Sequence, residues 1–175
     1  MAGAFARGMA EGDVAATAKH FPGLGAAQLD EDQNQNVIGY TRDQLRATDE
    51  APYKSLAKKH IPLVMVSTAE YPAFSSSPAL FSHKIATKEL RRYIKFHGVS
   101  ITDDLETAVA SRYGSPGTRA VKSARAGVDL LLFAQSTSAG AQAAGALVDA
   151  VRSGKLTRQD LERSVSRITA LRKSL

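Results

Sequence analysis

Cysteine is absent from the 175-residue chain, which excludes disulfides, thiolate chemistry and cysteine-built zinc or iron–sulfur sites. The compartment stays open on that count, because a domain of this length reaches stability without cross-links. No apolar run approaches the length needed to cross a bilayer, so no membrane span is expected. The first thirteen residues lack the sustained apolar stretch of a secretory signal and carry Glu11 and Asp13. As it stands the chain reads as cytoplasmic, and export would need a signal upstream of Met1. Neither HExxH nor an EF-hand spacing occurs, so no metal is expected. Gly23-Leu24-Gly25 leads into neutral and acidic residues instead of a Walker lysine or a Rossmann continuation, and no nucleotide or other cofactor is expected either.

Dense basic runs are missing too, although 23 Lys and Arg stand against 17 Asp and Glu for a formal charge of +6. The cations are scattered as Lys58-Lys59, Arg91-Arg92 and the series Arg163, Arg167, Arg172 and Lys173, without interleaved aromatics. That pattern fits solvated helix faces, and no specific nucleic-acid partner is expected.

What the chain does have is 43% hydrophobic residues, enough for one domain with a core. Four short runs, 14–19, 63–67, 99–102 and 129–133, have the character of strands buried on both faces. Helical patterns separate them, and parallel strands need such crossovers, so the order predicts an α/β fold with a parallel sheet. Helices are predicted over 41–59, 86–94, 118–126, 139–152 and 157–172. Thr118 opens the third and Gly127 closes it, while Thr157 caps the last, with Asp160 at its third position. Leu161, Val165, Ile168 and Leu171 form the apolar stripe of that last helix. Residues 68–82, with Pro72 and Pro78, read as a loop, and 105–113 as helical or irregular.

Polar side chains gather where strands end. Lys19-His20 follows the first strand and Asp103-Asp104 the third. In parallel α/β folds these positions share one face, where adjacent loops hold a ligand.

The same residues carry a resemblance. Ala16-Thr17-Ala18-Lys19-His20-Phe21-Pro22-Gly23, with Gly25 following, resembles the AxAKHFPGxG segment of glycoside hydrolase family 3, in particular its bacterial β-N-acetylhexosaminidase branch. Leu63-Val64-Met65-Val66-Ser67 with Tyr71-Pro72, then Pro78-Ala79 and Ser82, are similar to the family's next stretch. Glu89-Leu90-Arg91, the run from Phe96 to Glu106 containing Thr102-Asp103-Asp104-Leu105, Ala126-Gly127-Val128-Asp129, and Ser164-Val165 with Arg167-Ile168 complete the match in order.

The resemblance implies a (β/α)8 TIM-like barrel of which residues 1–175 supply the C-terminal half, about four strand–helix units. It implies a carbohydrate substrate and hydrolysis of O-glycosidic bonds with retention. Half a barrel leaves sheet edges and apolar helix faces uncovered, so self-association or an N-terminal half-barrel is the expected partner. Asp103 takes the position of the nucleophile, its alternative being a capping acid, and Asp104 that of a loop-orienting acid. Lys19 and His20 take the positions of sugar-contacting residues, or else of a structural pair at the strand end. The family's Asp-Ser-His becomes Asp30-Glu31-Asp32 here. Asp32 therefore stands where the acid/base histidine is usual, either as a carboxylic acid/base or as part of a solvated acidic turn. Thr68 replaces another usual histidine and keeps a hydroxyl for substrate contact. His60 and His97 sit beside strand entrances at the opposite end and His83 at a helix entrance, so none of the three is a ligand candidate. The alternative reading is an inactive or carbohydrate-binding remnant, functional only in an assembly.

Overall fold

The structure is a computed structural model that describes residues 1–175. It is a mixed α/β fold with a parallel sheet, as a partial barrel requires, and no helix is long and apolar enough to cross a membrane.

A helix that the sequence reading did not anticipate, α1 (Ala2–Glu11), precedes strand β1 (Thr17–Phe21). After a long loop come α2 (Arg42–Ala47), α3 (Ala51–Ala57) and β2 (Leu63–Val66). A small antiparallel pair, β3 (Glu70–Tyr71) and β4 (Ser75–Pro78), lies within the segment expected to be loop. A 3-10 turn (Ala79–Phe81) and a π-helix (Lys84–Tyr93) lead to β5 (Val99–Thr102). Four helices follow: α4 (Ala108–Ser111), α5 (Pro116–Ala126), α6 (Thr137–Arg152) and α7 (Arg158–Lys173).

The sheet runs β1-β2-β5, all parallel. Leu63 pairs with Thr17 on one side and Val99 on the other, and Val66 with Phe21 and Thr102. The expected fourth strand is reduced to a single bridge between Ile101 and Leu130. Leu130 N–H donates to Ser100 O at 2.9 Å and Leu130 O accepts from Thr102 at 3.0 Å. At the next step the Leu132 N–H turns to the Thr102 hydroxyl oxygen, 3.0 Å away, instead of a main-chain carbonyl. A side chain thus takes a ladder position, and regular pairing stops there.

The helix expected over 41–59 is broken in two. Pro52 lies in the first turn of α3, where its missing N–H costs nothing, whereas inside a continuous helix it would clash with the preceding turn. Thr41 caps α2 in a reciprocal capping box with Gln44. The π-helix replaces the expected α-helix over 86–94, with Ile94 N–H reaching five residues back to Glu89 O. Ser115, and not Thr118, caps α5, accepting from Thr118 N–H at 3.2 Å with Pro116 next in line. Gly127 ends α5 at φ +95°. Thr157 caps α7 as expected, accepting from Asp160 N–H at 3.1 Å.

The core fills the space between the sheet and α2, α3 and the π-helix. Phe21, Leu45, Val66, Tyr71, Leu80, Ile85, Leu90 and Leu105 are buried there, and Phe21 meets Tyr53 edge to face at 5.1 Å. Each such side chain contributes about 1.5–3 kcal/mol on full burial.

α7 is held differently. It buries no side chain completely, and Val165 of its predicted stripe is 58% exposed. The helix is fastened instead by ion pairing. Asp129, whose carboxylate is fully buried, accepts from Arg91 at 2.5 Å, Arg167 at 2.6 Å and Ser164 at 2.8 Å. Burial opposes its charge, but the Arg167 hydrogen bonds and the Arg91 guanidinium overcome that and hold the carboxyl below its ordinary range. Three separate motifs of the sequence thereby meet in one clamp.

Candidate active site

The C-terminal ends of β1, β2 and β5 open on one face of the sheet. There β1 delivers Lys19 and His20, β2 delivers Ser67 and Thr68, and β5 delivers Asp103. The β1 pairing slips between Ala18 and Phe21, where the Lys19–His20 peptide is cis. His20 points into the site, half-buried, whereas Lys19 is exposed beside it.

The turn after β1 is built by close packing. Gly23 has φ +146°, and a Cβ on it would lie 2.5 Å from the Asp49 Cβ at the joint between α2 and α3. Only glycine meets both conditions without strain. The buried Tyr71 hydroxyl donates to Gly23 O at 2.8 Å and fixes the turn from the other side.

Beyond Gly25 the chain folds back over the strand ends. Asn36 staples this loop, accepting from Leu29 N–H at 3.3 Å and donating to Leu29 O at 2.9 Å. Glu70 holds its far end, with Ile38 N–H donating to Glu70 O and Glu70 N–H to Asn36 O, each at 2.9 Å. Glu31 is consequently driven down into the site while Asp32 stays on the exposed rim.

Glu31 Oε2 accepts from the Ser67 hydroxyl at 2.9 Å and the Thr68 hydroxyl at 3.2 Å. Its Oε1 lies 3.3 Å from His20 Nδ1, and His20 Nε2 lies 3.8 Å from Asp103 Oδ2. Neither Glu31 Oε1 nor Asp103 Oδ2 has a hydrogen-bond partner, although both are buried. Burial, then the neighbouring Asp103 carboxyl, push the Glu31 carboxyl up to about 7 against the two hydroxyls. Burial also lowers the His20 imidazole, with the Lys19 charge, against the pull of Asp103 and Asp32. Asp32 is raised by what burial it has and by the charges of Asp103, Asp30 and Asp104.

Asp103 is held by its own turn: its N–H donates to Val66 O at 3.0 Å, and its Oδ1 accepts from Asp104 N–H at 2.9 Å. Asp104 points away and latches a neighbouring loop, accepting from Glu106 N–H at 2.9 Å and Gln135 Nε2 at 3.1 Å. Of the sequence-predicted residues, His20, Thr68 and Asp103 converge, while Lys19 and Asp32 stand at the edge. Glu31 and Ser67 are the members that sequence reading missed. The signal for Glu31 was present in the replaced Asp-Ser-His triplet, but the side that turns inward is set by the Asn36 staple. His60, His83 and His97 take no part.

Comparison with known proteins bears on this arrangement. The family described as glycosyl hydrolase family 3 N terminal domain matches residues 1–171. A protein of Arthroderma benhamiae, named an uncharacterized secreted glycosyl hydrolase, is 36% identical over 176 residues, covering 98% of this chain and 50% of that protein. A β-hexosaminidase of Idiomarina loihiensis is 34% identical over 142 residues, covering 81% of this chain and 43% of the relative. Among solved structures, a glycoside hydrolase family 3 β-N-acetylglucosaminidase from a Paenibacillus species superposes with a TM-score of 0.93 at 32% identity, covering 97% of this chain and 32% of that one. The chain thus spans half the length, or less, of the curated relatives it matches.

Proposed function

The chain belongs to the glycosyl hydrolase family 3 N-terminal domain family, and from that premise we propose that it forms the C-terminal half of a (β/α)8 barrel that cleaves O-glycosidic bonds in β-linked N-acetylhexosamines. The β-hexosaminidase relatives support the sugar class, and their greater length supports an N-terminal half-barrel as the partner. The observation that carries the chemistry is the Asp103 carboxylate at the end of β5, with Oδ2 free of hydrogen bonds and facing His20.

In this reaction Asp103 attacks the anomeric carbon as the bond to the leaving oxygen breaks, and water then hydrolyses the glycosyl-enzyme ester with retention. Asp32, on the rim of the same opening, protonates the leaving oxygen and later takes a proton from the attacking water. Lys19 and His20 donate hydrogen bonds to sugar hydroxyls, and the Thr68 hydroxyl orients the substrate once released from Glu31.

The test compares the full-length or half-barrel-reconstituted protein with its Asp103→Asn variant on chromogenic β-N-acetylglucosaminide and β-glucoside. Turnover of the first substrate, lost in the variant, is expected; equal turnover by both proteins removes Asp103 from the nucleophile's role. A second reading, a carbohydrate-binding remnant, draws on Glu31, which fills the space beside Asp103 and engages Thr68. Saturable binding of N-acetylglucosamine without turnover in the complete assembly would favour it.

A further inference from the structure

We propose that Tyr113 is a positioning residue for proton transfer, its hydroxyl tethering the loop that carries Asp32 to the connection that follows the strand of Asp103. The inference rests on the glycosidase reading above, in which Asp32 serves as acid/base. Asp32 sits on the exposed rim, so its place over the site is set by how its loop is fastened. Asp32 N–H donates to Asp30 Oδ1 at 3.0 Å and Asn34 N–H to Asp30 O at 2.9 Å, which makes residues 30–34 one compact turn. A turn bonded within itself moves as a unit, and the residues beside it decide where it points.

Gln35 follows that turn directly. Its Nε2 donates to Thr68 O at 3.1 Å, which aligns the amide across the strand ends, and its Oε1 accepts from the Tyr113 hydroxyl at 3.2 Å. The same hydroxyl lies 3.0 Å from Glu70 Oε1. Glu70 is the residue whose main chain holds the far end of the loop through Asn36 and Ile38, with a bridge to Val37 between them. One phenolic proton is thus shared between an amide oxygen of the loop and a carboxylate of β3, and it draws the two together.

Tyr113 is itself fixed from elsewhere. It closes the turn after α4, where its N–H donates to Ala110 O at 3.0 Å, its carbonyl accepts from the Lys122 ammonium at 2.9 Å, and its ring centroid lies 5.2 Å from that of Phe81. Lys122 belongs to α5 and Phe81 to the 3-10 turn, so the anchor does not depend on the loop it holds. Burial, then the hydrogen bond to Glu70 and its charge, push the phenol up to about 12, and the donor therefore persists through the pH range of an assay. Placement matters here because a displacement of about 1 Å in a reacting group costs on the order of 10²-fold in rate.

The test uses the full-length or half-barrel-reconstituted protein and its Tyr113→Phe variant, which keeps the ring on Phe81 and removes the tether. Two β-N-acetylglucosaminides are compared, a methyl glycoside, whose leaving oxygen needs a proton, and a dinitrophenyl glycoside, whose leaving group departs without one. Expected is a fall of about tenfold in kcat/KM on the methyl glycoside, the worth of one charge-assisted hydrogen bond, and a change below about twofold on the dinitrophenyl glycoside. A general loss of folded enzyme would lower both alike. Hydrogen exchange reads the tether apart from turnover: residues 30–38 should exchange about tenfold faster in the variant, with 63–66 unchanged. Equal losses on the two glycosides, or unaltered exchange at 30–38, overturn the proposal. Should the parent turn over neither glycoside, the glycosidase reading fails and the exchange rates alone decide the tether. Should Tyr113→Phe lose its far-UV circular dichroism, Gln35→Met, which cuts the tether from the side of the loop, is measured with the same expectations.

Discussion

Glu50 is expected to make the fold less stable as pH rises, and Glu50→Gln to remove that dependence. Glu50 sits at the N-terminus of α3 with its side chain fully buried, and neither carboxyl oxygen has a partner. Three charged groups act on it, Glu89, Arg46 and Lys54. Glu89, on the π-helix, is engaged by Arg46 through bonds of 2.6 and 3.0 Å; Lys54 lies on α3 itself and stacks with Arg46 on Tyr93. Burial, then the charge of the neighbouring Glu89 carboxylate, push the Glu50 carboxyl up to about 8, against the opposing charges of Arg46 and Lys54. The folded chain therefore holds a proton that the unfolded chain releases near 4.5. The sign follows: the stability is fully present below pH 4.5 and is lost as pH rises through about 8. A gap from 4.5 to about 8 corresponds to a loss of at most about 5 kcal/mol. Relaxation and water penetration around a buried carboxyl reduce this, and about 1–3 kcal/mol is expected. Glutamine keeps the shape and carries no charge at any pH. In urea titrations followed by circular dichroism, Glu50→Gln should lie within about 0.5 kcal/mol of the parent at pH 5 and exceed it by about 1–3 kcal/mol at pH 9. A difference that stays constant from pH 5 to pH 9 would refute the reasoning.

Two further substitutions test the frame. Asp129→Asn leaves Arg91 and Arg167 charged around a neutral amide, and removing one partner of a buried ion network costs about 3–5 kcal/mol in urea unfolding; a loss under about 1 kcal/mol would mean that α7 is held by its apolar contacts after all. Gly127→Ala places a methyl 2.2 Å from the Thr87 hydroxyl oxygen at φ +95°, whereas Gly154→Ala at φ +72° meets nothing within 4 Å. The second should cost about 1–2 kcal/mol from backbone conformation alone and the first clearly more, since Thr87 must also give up its bond to Ala126 O; equal losses in thermal melts would refute the packing account.

The parallel sheet and the order of its units were legible because buried strands are short apolar runs separated by helical spacing, and that local signal survives into the fold. Three of the four expected strands formed as ladders. The fourth shrank to one bridge because the Thr102 hydroxyl took a main-chain position, which no apolar pattern encodes. Pro52 did encode the break between α2 and α3, although residues 41–59 read as one continuous helix. The site was legible in those members carried by strand ends, His20, Thr68 and Asp103, because a strand fixes where its last residue emerges. Glu31 was hidden for the opposite reason. Its direction depends on Asn36 bonding back to Leu29 across seven residues, and on Glu70 receiving the loop from another part of the chain.

The motifs divide by the partners their polar groups find. Arg91, Asp129 and Arg167 satisfy one another around a fully buried carboxylate, and a charge so neutralised contributes geometry, not reactivity. Tyr71 and Gly23 likewise close a donor on an acceptor. Asp103 differs in that one oxygen is held and the other is left facing an imidazole and a second carboxylate. Leaving a buried acceptor unpaired costs about 1–3 kcal/mol, so such an atom persists only where the rest of the structure over-determines it or where a ligand completes it. In this chain the main-chain bond from Asp103 to Val66, the Asp104 turn and the Asn36 staple provide that over-determination. The free oxygen of Asp103, like Oε1 of Glu31 beside it, is thus a buried acceptor whose cost the fold already carries.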